Sequence, residues 1–152
     1  MKSVVFCSSQ RFKKELAEFI EKLKTEAASK SLHLVIFDPE FENHEKELHL
    51  SPEKERMLNP HYRNSVAGKV YDHLFRKVRI ADVCYIFNKD GYLGANTNGE
   101  LFAAAVLGKT IYAHSERTLM GNYPGDLYEE PSSRKLIHEI VNAPHELLKR
   151  LI

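Results

Sequence analysis

Ala81-Asp82-Val83-Cys84-Tyr85-Ile86-Phe87-Asn88-Lys89-Asp90-Gly91-Tyr92-Leu93-Gly94, continued to His114, is the stretch on which the fold turns. Val83 to Phe87 is apolar throughout, as a parallel strand covered on both faces requires. Asn88 to Gly94 then leaves the sheet at its carboxyl end, and a helix is entered through Thr97-Asn98-Gly99-Glu100. Leu101 to Leu107 carries that helix, Gly108 closes it as the C′ residue, and Thr110-Ile111-Tyr112-Ala113 makes the next strand. Ligands of open α/β sheets bind beyond the carboxyl ends of the strands. Glu100 is therefore expected at the mouth of a ligand crevice.

Glu100 admits two accounts on this spacing. In the first, Thr97 caps the helix and Glu100, at N3, returns a hydrogen bond to the Thr97 amide, a capping box that stabilises by about 0.5–2 kcal/mol. In the second, a carboxylate in the first helical turn is kept ionised by the helix dipole and a neighbouring glycine lets a ligand approach closely. A nucleophile needs both conditions.

Outward from this unit, residues 3 to 8 form the first strand, and Phe12, Leu16, Phe19, Ile20 and Leu23 mark one face of a helix ending near Ser29. Leu32 to Phe37 is the second strand, stopped by Asp38-Pro39. Phe41 to Pro60 is a polar connection in which Ser51-Pro52-Glu53 can start a short helix; so long a connection is a lid or binding loop, or else mobile. Val66, Val70, Leu74 and Val78 recur at helical spacing and predict a helix from Tyr62 to Arg79 with an ordinary core face. Glu116 to Pro131 reads as a loop, Ile137 to Val141 as the last strand with Ser133 to His138 alternatively a helical turn, and Pro144 to Leu151 as a terminal helix. Strands alternating with helices predict an α/β domain: a doubly wound, mainly parallel five-stranded sheet with helices on both faces, in one unit over residues 1–152.

Composition narrows the function. Lys and Arg (22) nearly balance Asp and Glu (21), so no field of one sign favours a nucleic acid polymer or an acidic membrane, and a small molecule is the default ligand. No tract is long enough to span a bilayer, and the apolar run at the N-terminus is too brief for a signal sequence, so a cytoplasmic location is expected. Cys7 and Cys84 fall in predicted core strands without a CxxC, and the eight histidines lack HxxxH or HExxH spacing. Neither a metal nor another cofactor is indicated.

Ser8-Ser9-Gln10-Arg11 lies between the first strand and first helix, where backbone amides and a helix dipole make an anion site to which Arg11 adds a bidentate contact. The plainer alternative is a Ser9 N-cap with a solvated Arg11. Asp38 and Asp90 end the second and third strands and can face the same crevice as Glu100; paired carboxylates share nucleophilic and acid/base roles, though each is also a turn former. His73, late in the second helix, reaches the crevice or is a partly buried structural residue.

Arg79-Ile80-Ala81-Asp82-Val83, Asn88 to Gly94, Thr97, Glu100 and Leu107-Gly108-Lys109 together resemble the nucleoside 2-deoxyribosyltransferase-like superfamily. The similarity covers most of the chain, with Cys7 to Phe12 resembling the first substrate loop of the nucleotide-hydrolysing branch. The resemblance implies a flavodoxin-like or Rossmann-like fold, a homodimer or higher homo-oligomer, and attack by a glutamate on the anomeric carbon of a nucleoside or nucleotide. Glu100 matches that nucleophile, with Asp90, Asp38 or His73 as proton donor to the departing base. Ser8, Ser9 and Arg11 would hold a phosphate, Tyr92 would stack on the base, and Gly94, Asn96 and Thr97 complete the implied substrate contacts. Transferases of this kind commonly carry an aspartate six residues before the glutamate, where this chain has Gly94. N-glycosidic hydrolysis, transfer, and nucleotide binding or sensing without turnover stay open, as does an interaction domain without a ligand.

Overall fold

The computed structural model describes residues 1–41 and 53–152. Its centre is a five-stranded sheet of β1 (Val4–Cys7), β2 (Ile36–Phe37), β3 (Val83–Ile86), β4 (Thr110–Ala113) and β7 (Glu139–Ile140), in the order β2-β1-β3-β4-β7 with every pairing parallel. β1 and β3 are adjacent, in register from Val4 opposite Val83 to Cys7 opposite Ile86. Both strands are buried along their whole length, as their unbroken apolar sequence requires.

Alternation along the strands divides the core in two. Val4, Phe6, Val83, Tyr85 and Tyr112 face α1 (Lys13–Ser29) and α6 (Pro144–Leu151), whose Leu16, Phe19, Leu23, Leu147, Leu148 and Leu151 fill that side. Val5, Cys7, Cys84, Ile86, Ile111 and Ala113 face Val78, Leu101 and Ala104 on the other side. Leu101 and Ala104 belong to α4 (Ala95–Val106), and Val78 ends the segment after α3 (Pro60–His73). The sheet is thus doubly wound, the flavodoxin-like arrangement the sequence predicts.

Several boundaries differ from expectation. Only Ile36–Phe37 of the second strand pairs, because Ile36 is already opposite Val4, the first residue of β1, and residues 32–35 run beyond the ladder. Asn59 caps α3, accepting from the Tyr62 amide at 3.2 Å, with Pro60 at the first helical position. The helix then widens into one π-helical turn, Leu74–Val78, immediately after His73. Such turns concentrate at functional sites. Glu116 to Pro131 is not simply a loop: β5 (Leu119–Asn122) and β6 (Asp126–Glu129) form an antiparallel hairpin. Gly121, at φ +120°, sits where a Cβ would collide with the Asp126 carbonyl, so the residue that suggested a break is what lets the two strands close. Both accounts of the C-terminal region hold in part, with α5 (Pro131–Lys135) as the helical turn and β7 as a shortened last strand. Of the 41–60 connection, α2 (Glu53–Arg56) is present; the expectation of a lid or mobile loop, and Ser51-Pro52, lie outside the described residues for positions 42–52.

Asn88 joins the two loops at the sheet's carboxyl end. Fully buried, it donates from Nδ2 to the Ser115 and Arg117 carbonyls at 3.0 and 2.7 Å, and its Oδ1 accepts from the Ser115 amide at 2.9 Å. Truncation leaves three backbone groups without their partner. Asn88→Ala is expected to lower the unfolding free energy by at least about 2 kcal/mol, read as a fall in the urea midpoint at constant slope.

Candidate active site

Two loops leave the carboxyl ends of β1 and β3 side by side. Ser8 Oγ donates to the Phe87 carbonyl at 3.1 Å and so ties them together. Ser9 caps a 3-10 turn, Gln10–Phe12, by accepting from the Arg11 amide at 3.3 Å. The Arg11 guanidinium lies 5.2 Å from the centre of the Tyr123 ring, at the tip of the β5–β6 hairpin. Tyr92 is buried against Phe12 and Tyr123, with ring centres 6.1 and 4.8 Å away.

α4 begins earlier than its sequence suggests. Gly94, extended at φ −72° and ψ 161°, is the N-cap, and its carbonyl takes the first helical hydrogen bond from Asn98 N at 2.9 Å. Thr97 is consequently the third helical residue rather than the cap, and Glu100 lies in the second turn rather than at N3. Among the described residues no hydrogen bond joins Glu100 to the Thr97 amide, so the capping box is not formed. Capping therefore does not account for Glu100. Gly94 provides no side-chain cap, which leaves the amides of Ala95, Asn96 and Thr97 without intrahelical acceptors at the cavity wall.

Glu100 is only 6% exposed. Its Oε2 lies 3.0 Å from His73 Nε2, at ion-pair distance, yet neither Oε2 nor His73 Nδ1 has a hydrogen bond of acceptable geometry. Cys7 Sγ lies 3.5 Å from the same His73 nitrogen and 3.7 Å from Cys84 Sγ. Burial, reinforced by Cys84, holds the Cys7 thiol well above its ordinary value, so it stays protonated. One thiol, one imidazole nitrogen and one carboxylate oxygen here lie within 4.8 Å of one another, a donor set of the type a small thiophilic cation takes. The spacing of Cys7, His73 and Glu100 in sequence gave no sign of it.

Glu100 and His73 line a cavity of about 120 Å³. Ser8, Ser9, Arg11, His73, Tyr92, Gly94, Asn96, Thr97 and Glu100 all line it. Asp38 and Asp90 do not: both are exposed, Asp90 lies 3.5 Å from Lys89 Nζ, and the Asp38 carbonyl accepts from Lys77 at 2.5 Å. Neither carboxylate is brought to Glu100. The opposite wall is new: Tyr62, Val66, Lys69 and Val70 of α3 and Arg56 of α2. Val66 and Val70, expected as ordinary core, are half-buried and face this space. Their helical spacing leads on to His73, but spacing alone cannot tell a cavity wall from a core face.

The same fold occurs in a solved 2-deoxyribosyltransferase from the psychrotolerant bacterium Bacillus psychrosaccharolyticus, described as a biocatalyst for nucleoside synthesis. The match spans 96% of this chain and 90% of that one, at a TM-score of 0.50 and 16% identity. A conserved protein from Enterococcus faecalis V583 matches over 99% and 97% of the two chains, with a TM-score of 0.55 and 14% identity. No protein-family model matches, and no curated protein matches. At these identities the likeness establishes a 2-deoxyribosyltransferase-like α/β fold. Among the described residues no helix is long and apolar enough to cross a membrane.

Burial makes a further statement about the thiols. Cys7 and Cys84 are expected to resist a thiol reagent in the native protein at pH 7.5 and to react fully in guanidinium chloride. Because the folded pKa of Cys7 is raised, the unfolded state loses the proton first. This contribution to stability is present below the ordinary thiol value of 9.0 and is lost as pH rises above it. Urea midpoints should fall between pH 8 and 10, and less so in Cys7→Ser.

Proposed function

We propose that the protein cleaves or transfers the N-glycosidic bond of a nucleoside 5′-monophosphate or related nucleoside, with Glu100 as nucleophile. The observation that carries this reading is a buried carboxylate lining a cavity, with no capping role and with only the His73 imidazole, 3.0 Å from Oε2, at ion-pair distance. A carboxylate so placed can meet the positive charge that develops on a sugar carbon.

In this reading the carboxylate attacks C1′, the C1′–N bond breaks, and its electron pair leaves with the base. His73, 3.0 Å from Oε2, orients the carboxylate and supplies the proton that the departing base needs. Asp90 and Asp38 are left out of that role because they do not reach the cavity. Water then hydrolyses the glycosyl ester, or a second base takes the sugar. Tyr92 packs beside the base, and Ser8, Ser9, Arg11, Gly94, Asn96 and Thr97 hold the rest of the substrate. The chain lacks the aspartate common six residues before the glutamate, which favours water over a second base as acceptor.

Glutamine keeps the volume of Glu100 but cannot form the ester. Glu100→Gln should change stability by less than about 1 kcal/mol and should abolish release of free base from a panel of nucleosides and nucleotides, followed by chromatography. Comparable release by wild type and variant refutes the nucleophile. Binding of nucleotides by a wild type that releases no base replaces catalysis with sensing.

The reading includes a homodimer or larger assembly. Tyr71 and Phe75 of the α3 segment are exposed with rings 4.6 Å apart, and Phe102 and Val106 of α4 are exposed as well. Light scattering across micromolar concentrations should give at least twice the 17.5 kDa chain mass. A monomer mass throughout refutes it.

A further inference from the structure

Arg56, the last residue of α2, lines the same cavity as Glu100 and is only 6% exposed. Its Nε has no hydrogen bond, and among the described residues no carboxylate forms an ion pair with it. The neighbour that answers its charge is the Tyr62 ring, 5.8 Å from the guanidinium carbon. An aromatic face is a weak partner that leaves the in-plane N–H groups free. A guanidinium so largely buried, with no anion beside it among the described residues, carries an electrostatic cost. A ligand anion removes that cost.

The charged lining agrees. Arg11, Arg56 and Lys69 line the cavity together with Glu40 and Glu100. Lys69 Nζ is engaged by the Phe41 carbonyl at 3.2 Å, and Arg11 by the Tyr123 ring. Arg56 is the buried cation among them. The planar fork of a guanidinium matches two oxygens of a phosphate monoester, which a lysine ammonium does not.

We propose that Arg56 is a specificity-determining residue that binds the phosphate monoester of a nucleotide, so that the cavity selects nucleoside monophosphates over nucleosides. This deepens the function proposed above and rests on it for the identity of the nucleoside part. It also moves phosphate selection to the α2 side of the cavity, away from the Ser8–Arg11 loop where the sequence suggests it.

The test is calorimetric binding of the four 2′-deoxynucleosides, their 5′-monophosphates and inorganic phosphate to wild type, Arg56→Met and Arg56→Lys. Wild type should bind at least one monophosphate about 10–100-fold more tightly than its nucleoside, the range of a charge-assisted contact. Arg56→Met should erase that preference while leaving nucleoside affinity within about twofold, and Arg56→Lys should restore part of it. Equal weakening of both ligands makes Arg56 a wall residue and overturns the proposal, as does a wild type without phosphate preference. Inorganic phosphate bound as tightly as the monophosphates overturns the nucleotide assignment. If Arg56→Met does not fold, Arg56→Lys and the steeper salt dependence expected for the monophosphate decide the same question. Base release is a separate readout. Arg56-dependent binding without release removes the Glu100 nucleophile and keeps this site, whereas release from nucleosides without phosphate preference does the reverse.

Discussion

Parallel strands can be joined only by crossovers that pass over a face of the sheet, and those crossovers share one hand. In the order β2-β1-β3-β4-β7 the chain leaves β1 toward β2 on one side and returns as β3 on the other. The loops after β1 and β3 therefore diverge to opposite faces and open a crevice between them. Everything functional follows from that divergence. Ser8 and Arg11 come from one loop, Tyr92 and Gly94 from the other, and α4 swings Glu100 beneath both. Asn88 and Ser8 hold the two loop stems to their neighbours by hydrogen bonds that have no water to replace them.

The polar groups in the crevice are few and under-satisfied. Glu100 Oε2, His73 Nδ1 and Arg56 Nε are buried without hydrogen bonds, and among the described residues the other such atom is Glu15 Oε2, on α1 outside the cavity. Folding alone gives no reason to bury a carboxylate, an imidazole and a guanidinium this way. The close ionic contact of Glu100, with His73, uses the same imidazole nitrogen that faces Cys7. That nitrogen cannot serve both neighbours at once, so the trio is not a relay of the thiol–imidazole–carboxylate kind, in which each ring nitrogen holds one partner. Burial keeps the thiol protonated, which makes it a poor nucleophile.

The β5–β6 hairpin adds an aromatic bracket to this frame. Leu93 N donates to the Leu119 carbonyl at 2.7 Å, so the hairpin is stitched directly to the loop that carries Tyr92. Tyr123 then packs on Phe12 and Tyr92 and receives the Arg11 guanidinium. Through these contacts an element remote in sequence fixes Tyr92 and Arg11 at the cavity wall.

Local signals sufficed for the sheet. The unbroken apolar run from Val83 to Ile86, the helical recurrence of Leu16, Phe19 and Leu23, and the Pro144 start report short-range patterning and backbone sterics, which depend little on the rest of the chain. They also led to Glu100, to Arg11 and to the crevice. Other features are absent from any local window. The start of α4 moved to Ala95 because Gly94 takes an extended conformation between β3 and the helix, and this turned a capping residue into a buried carboxylate beside His73. The hairpin was hidden by the same glycine and proline residues that normally end strands. His73 and Cys7 met across a sequence separation of 66, and Arg56 reached the cavity from a short helix with no apolar periodicity. Sequence by itself determined which segments form the layers, since periodicity and turn chemistry act within a few residues. Only tertiary structure decided which charges are buried and left without partners, because desolvation is a property of everything packed around a group.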